Sequence, residues 1–287
     1  MKKTWPTDKK LAKRLELSLI KPAHAYLFSG VEGCGALLLA EVFSARLLNV
    51  EYFYDNKKLA HPNVVYIQPE EGKSKISIKQ IHSLISHSAQ TGSRSGLQRI
   101  FIIDRADQLS REAATALLKT LEEPNSDVVF ILTTHSQHTL LPTIRSRVVT
   151  ITLSKLKEVE LQNFLIDVAS INSDEAQSIA HLSGGRVELA LQLTDNDTYT
   201  KYKNDIEQAT QFLNGTISEK FIIAKQVSDC QESHQFLDRL SYTMLVESSI
   251  LVTAINQERV VEAEKQLSSN VNPRFVLENL ALQWRKI

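Results

Sequence analysis

Five short apolar runs punctuate the first half of this 287-residue chain: Tyr26–Ser29, Val64–Ile67, Ile100–Ile103, Val128–Thr133 and Val148–Thr152. Between them lie longer stretches with apolar residues at helical spacing, such as Leu37, Leu38, Val42, Phe43, Leu47 and Leu48 within 36–48. Ile100-Phe-Ile-Ile103 contains no polar residue, as suits a strand covered on both faces. Strand–helix alternation of this kind predicts a parallel sheet sandwiched by helices. In such sheets, ligands bind outside the carboxyl ends of the strands. Residues 1–153 are therefore predicted to be an α/β domain, with the Gly30–Gly35 loop, Asp104 and Thr133-Thr134 at strand carboxyl ends.

The helices carry recognisable ends. Ser77 with Gln80 three residues on forms a capping box for a helix to about Ala89. Ser110 caps a helix over 111–123, which Pro124 stops. Beyond residue 153 only helical periodicity remains. Helices are predicted over 154–169, 173–182 and 187–193, with Gly184-Gly185 as a break. Longer ones follow over 199–213, 218–229, 233–255, 257–267 and 273–285. Asn214-Gly215 is the expected boundary between a small helical domain, 154–213, and a terminal helical domain, 214–287.

Bulk composition mainly excludes. The 33 basic and 33 acidic residues cancel, so no global charge argues for a polyanionic partner. Cys34 and Cys230 are the two cysteines, too few for a disulfide framework or a cysteine metal knuckle. No apolar run approaches the roughly 20 residues that span a bilayer. Met-Lys-Lys-Thr-Trp-Pro lacks the apolar stretch of a signal peptide. The expectation is a soluble, cytoplasmic protein.

The loop after the first strand reads Gly30-Val-Glu-Gly-Cys-Gly-Ala-Leu37. A phosphate-binding P-loop has the pattern G-x-x-x-x-G-K-[ST]. Gly30, Gly33 and Gly35 are present, but Ala36 replaces the lysine that neutralises phosphates and Leu37 the hydroxyl that holds magnesium. Glu32 adds a negative charge. Ile100-Phe-Ile-Ile-Asp-Arg105 has the form of a Walker B strand, with Asp104 as magnesium ligand or as a strand-end capping carboxylate. Arg105 follows, and a cation cannot polarise an attacking water as a base.

Three further segments carry a resemblance. They are His24-Ala-Tyr-Leu-Phe-Ser-Gly30, Leu118-Lys-Thr-Leu-Glu-Glu-Pro124 and Ile144-Arg-Ser-Arg147. Together they resemble the clamp-loader branch of the AAA+ proteins, as in the bacterial DNA polymerase III clamp loader, over about residues 5–195. The resemblance implies an AAA+ sheet domain, a helical lid and a C-terminal helical collar. It implies a hetero-oligomeric ring of five with tau/gamma and delta subunits, acting on a sliding clamp and primed DNA. In that family a Ser-Arg-Cys motif gives an arginine to the neighbouring subunit's ATP site. Ser146-Arg147-Val148 matches by position, so Arg147 is the candidate trans arginine finger and Arg145 its competitor. ATP and magnesium would belong to the neighbour, with no cofactor or metal on this chain.

Other family positions diverge. The sensor 2 arginine falls on Glu188, or on Arg186 after a two-residue shift. The zinc module of many members has no counterpart in 49–61. His61, His82, His87, His135 and His138 read as surface or loop residues. Two alternatives stay open. One is an active ATPase in which Lys119 or Arg105 replaces the missing lysine. The other is a clamp-binding subunit of the delta type.

Overall fold

β-branched and aromatic residues build the strands at the places their clustering predicts. The computed structural model describes residues 5–54, 58–89, 99–124, 127–247, 250–269 and 271–284. The first compact unit is Met1–Thr194 and the second is Asp195–Ile287.

The first unit opens with α1 (Lys9–Ile20), a helix absent from the sequence expectation. Asp8 caps it, accepting from the amides of Lys10 and Leu11. There follow β1 (Ala25–Ser29), α2 (Ala36–Leu47), β2 (Val64–Ile67), α3 (Ile78–Ala89), β3 (Arg99–Ile103), α4 (Arg111–Glu122), β4 (Val128–Thr134), α5 (Pro142–Arg145) and β5 (Val149–Thr152). All neighbouring strands pair in parallel, in the order β2-β3-β4-β1-β5. Every residue of β1 and β4 is buried, as expected for central strands of a covered sheet. Phe101 and Phe130 stack with centroids 5.6 Å apart within this core.

The predicted caps form. The Ser110 hydroxyl accepts from the Ala113 amide at 3.1 Å, and the Ser77 amide donates to Gln80 Oε1 at 2.9 Å. α6 (Glu158–Ala169), α7 (Ser173–Ser183) and α8 (Val187–Gln192) belong to the same unit as the sheet. α6 begins at Glu158, not at 154. The preceding strap is committed elsewhere: the Leu153 amide donates to Ser29 O at 2.7 Å and the Leu156 amide to Gly185 O at 2.9 Å.

The second unit is helical: α9 (Asn196–Asn214), α10 (Ile217–Asp229), α11 (Ser233–Glu247), α12 (Ile250–Ser268) and α13 (Pro273–Gln283). Phe212, Leu237, Leu240, Val260, Leu277 and Leu280 are among its core residues. Asn214-Gly215 is the α9–α10 turn inside this unit, and the division between units falls at Thr194/Asp195. The helix expected over 233–255 is two helices. α12 already runs through Asn256, which is 1% exposed and accepts from Arg259 Nη1 at 3.3 Å. A polar residue expected at a helix end is instead satisfied inside one. Among the described residues no helix is long and apolar enough to cross a membrane.

Candidate functional site

The glycine loop joins β1 to α2. The Gly30 amide donates to Thr134 O at 3.2 Å, and a Cβ on Gly30 would stand 3.0 Å from Leu153 Cβ. Gly33 (φ +79°) and Gly35 (φ +84°) are left-handed, the conformation that favours glycine. Ala36 is the buried first residue of α2 and Leu37 is half-buried. The helix start therefore offers neither an ammonium nor a hydroxyl at these positions.

The start of α8 lies against this loop. The Glu188 amide donates to Gly33 O at 3.0 Å. Arg186 Cδ lies 3.3 Å from where a Gly33 Cβ would stand, and Val187 Cβ 3.8 Å from the equivalent point on Gly35. Arg186 is held in turn by its Nε donating to Ser183 O at 3.0 Å. Of the two sensor 2 candidates, Arg186 packs its side chain on Gly33, and Glu188 meets the loop through its backbone amide.

The carboxyl end of β3 is closed by a hydroxyl. Thr133 donates to Asp104 Oδ1 at 2.6 Å and accepts from the Arg105 amide at 3.1 Å. Arg105 is exposed, in a left-handed conformation (φ +53°). Thr134 makes the parallel contact, donating to Asp107 Oδ1 at 2.7 Å. Asp104 therefore acts as the strand-end carboxylate between β3 and β4. The alternative cation, Lys119, is exposed and lies about 12 Å along α4 from Arg111.

Carboxylates crowd this end of the sheet. Burial pushes the Glu188 carboxyl above its ordinary range, and the Asp104 charge pushes it further. His135 pulls the other way, while Glu41 and Glu32 add to the rise. Glu41, 5% exposed, accepts from Tyr52 Oη at 2.7 Å and Tyr66 Oη at 2.8 Å. Burial also raises its pKa, against those two hydrogen bonds. Glu41 escaped the sequence reading because a lone glutamate amid apolar helix residues looks like a solvated position.

The arginine motif occupies a separate short element. Pro142 opens α5, and the fully buried Ile144 anchors it. The Arg147 Nη1 donates to Thr143 O at 2.9 Å and to Ser146 Oγ at 3.2 Å. The Ser146 hydroxyl donates to Thr143 O at 3.0 Å. Arg147 Nη2 pairs with Glu122 Oε1 at 2.6 Å, where α4 ends. Arg145 is exposed, with no side-chain hydrogen bond or ion pair among the described residues. Arg147 is thus held by side-chain partners and Arg145 is not.

Among the described residues no group of three or more His, Cys, Asp or Glu is arranged to hold a metal. His61 Nδ1 accepts from the Asn63 amide at 3.1 Å, and His82, His135 and His138 are exposed. The His87 side chain lies outside the described residues.

A family model described as DNA polymerase III, delta subunit, matches residues 7–157. The Bacillus subtilis DNA polymerase III subunit delta' is 29% identical over 305 aligned residues, covering 91% of this chain and 90% of that protein. The Pseudomonas aeruginosa subunit delta' is 36% identical over 138 residues, 44% of this chain and 42% of that one. The Escherichia coli DNA polymerase III subunit tau is 29% identical over 219 residues, 71% of this chain and 33% of tau. A solved gamma subunit-related protein of Thermotoga maritima shares the fold, with a TM-score of 0.63 at 19% identity over 94% of this chain and 97% of that one. The chain belongs to the DNA polymerase III delta-subunit family, among the clamp-loader proteins named delta', tau and gamma.

Proposed function

We propose that this chain is a non-hydrolysing structural subunit of a DNA polymerase III clamp loader. It completes the ATP site of a neighbouring tau/gamma subunit with Arg147. The observation that carries this reading is the presentation of Arg147: a guanidinium held by two hydrogen bonds and an ion pair, 34% exposed, on a short surface element. A guanidinium there can stabilise charge spreading over γ-phosphoryl oxygens. ATP and magnesium are the neighbour's and supply the phosphoryl chemistry. This chain supplies the cation.

The chain's own loop supports the same division of labour. Ala36, Leu37 and Arg105 lack the required groups, Arg186 and Glu188 cover Gly33, and nearby carboxylates repel phosphate. These residues do not fit a magnesium triphosphate. The wider reading is a cytoplasmic, pentameric hetero-oligomer with tau/gamma and delta, acting on a sliding clamp and primed DNA.

The test is steady-state ATPase of the assembly reconstituted with tau/gamma and delta subunits, clamp and primed DNA. Arg147→Ala should assemble normally and abolish turnover at the one site it completes, leaving that of the other sites. Unchanged total turnover would refute the assignment. Micromolar ATP binding with magnesium-dependent hydrolysis by the isolated chain would refute the non-hydrolysing role.

A further inference from the structure

Glu122 and Arg147 come from two motifs separated by β4 and α5, yet they meet at 2.6 Å. Three groups surround the guanidinium: Nη1 donates to Thr143 O and Ser146 Oγ, and Nη2 is in an ion pair with Glu122 Oε1. A guanidinium has five N–H donors in a rigid planar fork. The Arg147 Nε–H makes no hydrogen bond among the described residues and is open to an incoming oxyanion.

The Glu122 and Arg147 side chains are 48% and 34% exposed, and an ion pair so open to water adds little to folding stability. Its effect is orientational. A free arginine side chain loses much rotamer entropy when a ligand orders it. One already held by two hydrogen bonds and an ion pair loses less. Glu122 is the last residue of α4, a helix capped at Ser110 and packed through Ala113, Leu117 and Leu121, so the carboxylate stands on a rigid base.

We infer that Glu122 is a positioning residue for Arg147, holding the guanidinium in the plane in which it meets the neighbouring subunit's γ-phosphoryl group. This rests on the reading of Arg147 as a trans arginine finger. Glu122 touches no reacting atom. It acts on the transition state through Arg147, so its loss lowers kcat and leaves KM for ATP unchanged. Glu123, adjacent and also exposed, makes no such pair among the described residues and serves as the charge control.

The experiment compares the reconstituted assembly carrying wild type, Glu122→Gln, Glu123→Gln, Arg147→Ala and Glu122→Gln/Arg147→Ala. Thermal melts of each subunit verify folding, and Gln keeps the shape of Glu at an exposed site. The turnover lost on Arg147→Ala defines the site's share. Glu122→Gln should lower kcat at that site by about threefold, the scale of an exposed charged pair, removing about two thirds of the share. Glu123→Gln should remove none, and the double variant should equal Arg147→Ala, the non-additivity expected of one functional unit. If Arg147→Ala lowers turnover while Glu122→Gln does not, the positioning role is overturned and the finger stands. Additive losses in the double variant, an equal loss in Glu123→Gln, or a change in KM alone would also overturn it. If Arg147→Ala changes nothing, the finger reading fails and the positioning role with it.

Discussion

The amide of Glu188 donates to the carbonyl of Gly33 at 3.0 Å, tying the start of α8 to the glycine loop. A second backbone bond, from Leu156 to Gly185 O at 2.9 Å, secures the strap that leads into α6. α8 therefore meets the loop backbone to backbone.

That close approach makes Gly185 irreplaceable. It is left-handed (φ +81°), and a Cβ there would stand 2.4 Å from Leu156 O. Gly72 is equally left-handed (φ +74°) with nothing within 4 Å. Gly72→Ala should cost about 1 kcal/mol, the conformational term alone. Gly185→Ala should cost about 3 kcal/mol or more, because steric overlap is added. Urea denaturation of the two variants measures the difference, and equal losses would contradict the close contact.

Glu188 makes stability depend on pH. Its pKa in the folded chain is raised above the ordinary 4.5, so the folded state holds this proton more tightly than the unfolded state. Stability from this group is fully present below pH 4.5 and is lost as pH rises through the raised value. Glu188→Gln cannot ionise. The variant should melt higher than wild type at pH 7.5, and the gap should narrow as pH falls toward 4.5. Parallel melting profiles across that range would contradict the burial and the Asp104 repulsion.

Restoring two residues should not restore an ATPase. In Ala36→Lys/Leu37→Thr, Arg105 still follows Asp104, Thr133 still bonds that carboxylate, and Glu188 and Arg186 still cover Gly33. Ala36 is only 7% exposed, so a lysine there must also push past its neighbours. The isolated double variant should release no phosphate above background in a magnesium-containing assay. Measurable turnover would show that the lost P-loop side chains were the main defect.

Arg147→Lys separates charge from shape. Lysine keeps the positive charge but lacks the planar fork that engages Thr143, Ser146 and Glu122 together. Folding stability should change by less than about 0.5 kcal/mol, since the pair is exposed. Turnover at the completed site should fall nearly as far as in Arg147→Ala. Full activity would mean that a point charge suffices.

Much of the sheet domain was legible because its signals are local. Val64–Ile67 forms β2 with the ends its apolar run predicts, Ile100–Ile103 lies within β3, and Ser110 caps α4 as its sequence indicates. Weaker signals failed. α1 has few buried residues, Leu11 and Leu15, and so a thin apolar stripe to read. Residues 154–156 read as the start of a helix because the partners that hold the strap, Ser29 to Leu153 and Gly185 to Leu156, are far away in sequence.

The sequence by itself determined the inventory: a glycine loop without lysine or hydroxyl, an Asp followed by Arg105, and a Ser-Arg pair downstream of Glu-Glu-Pro. Those are matters of residue identity and short spacing, which propensity and periodicity report. Only the tertiary structure decided the partners. Strand order β2-β3-β4-β1-β5 and the strap after β5 bring Arg186 and Glu188 onto Gly33, stand Glu41 beneath Tyr52 and Tyr66, and set Arg147 against Glu122 and not Glu123. Such pairings depend on crossovers and helix ends far apart in the chain, and no local pattern encodes which side chains will share a point in space.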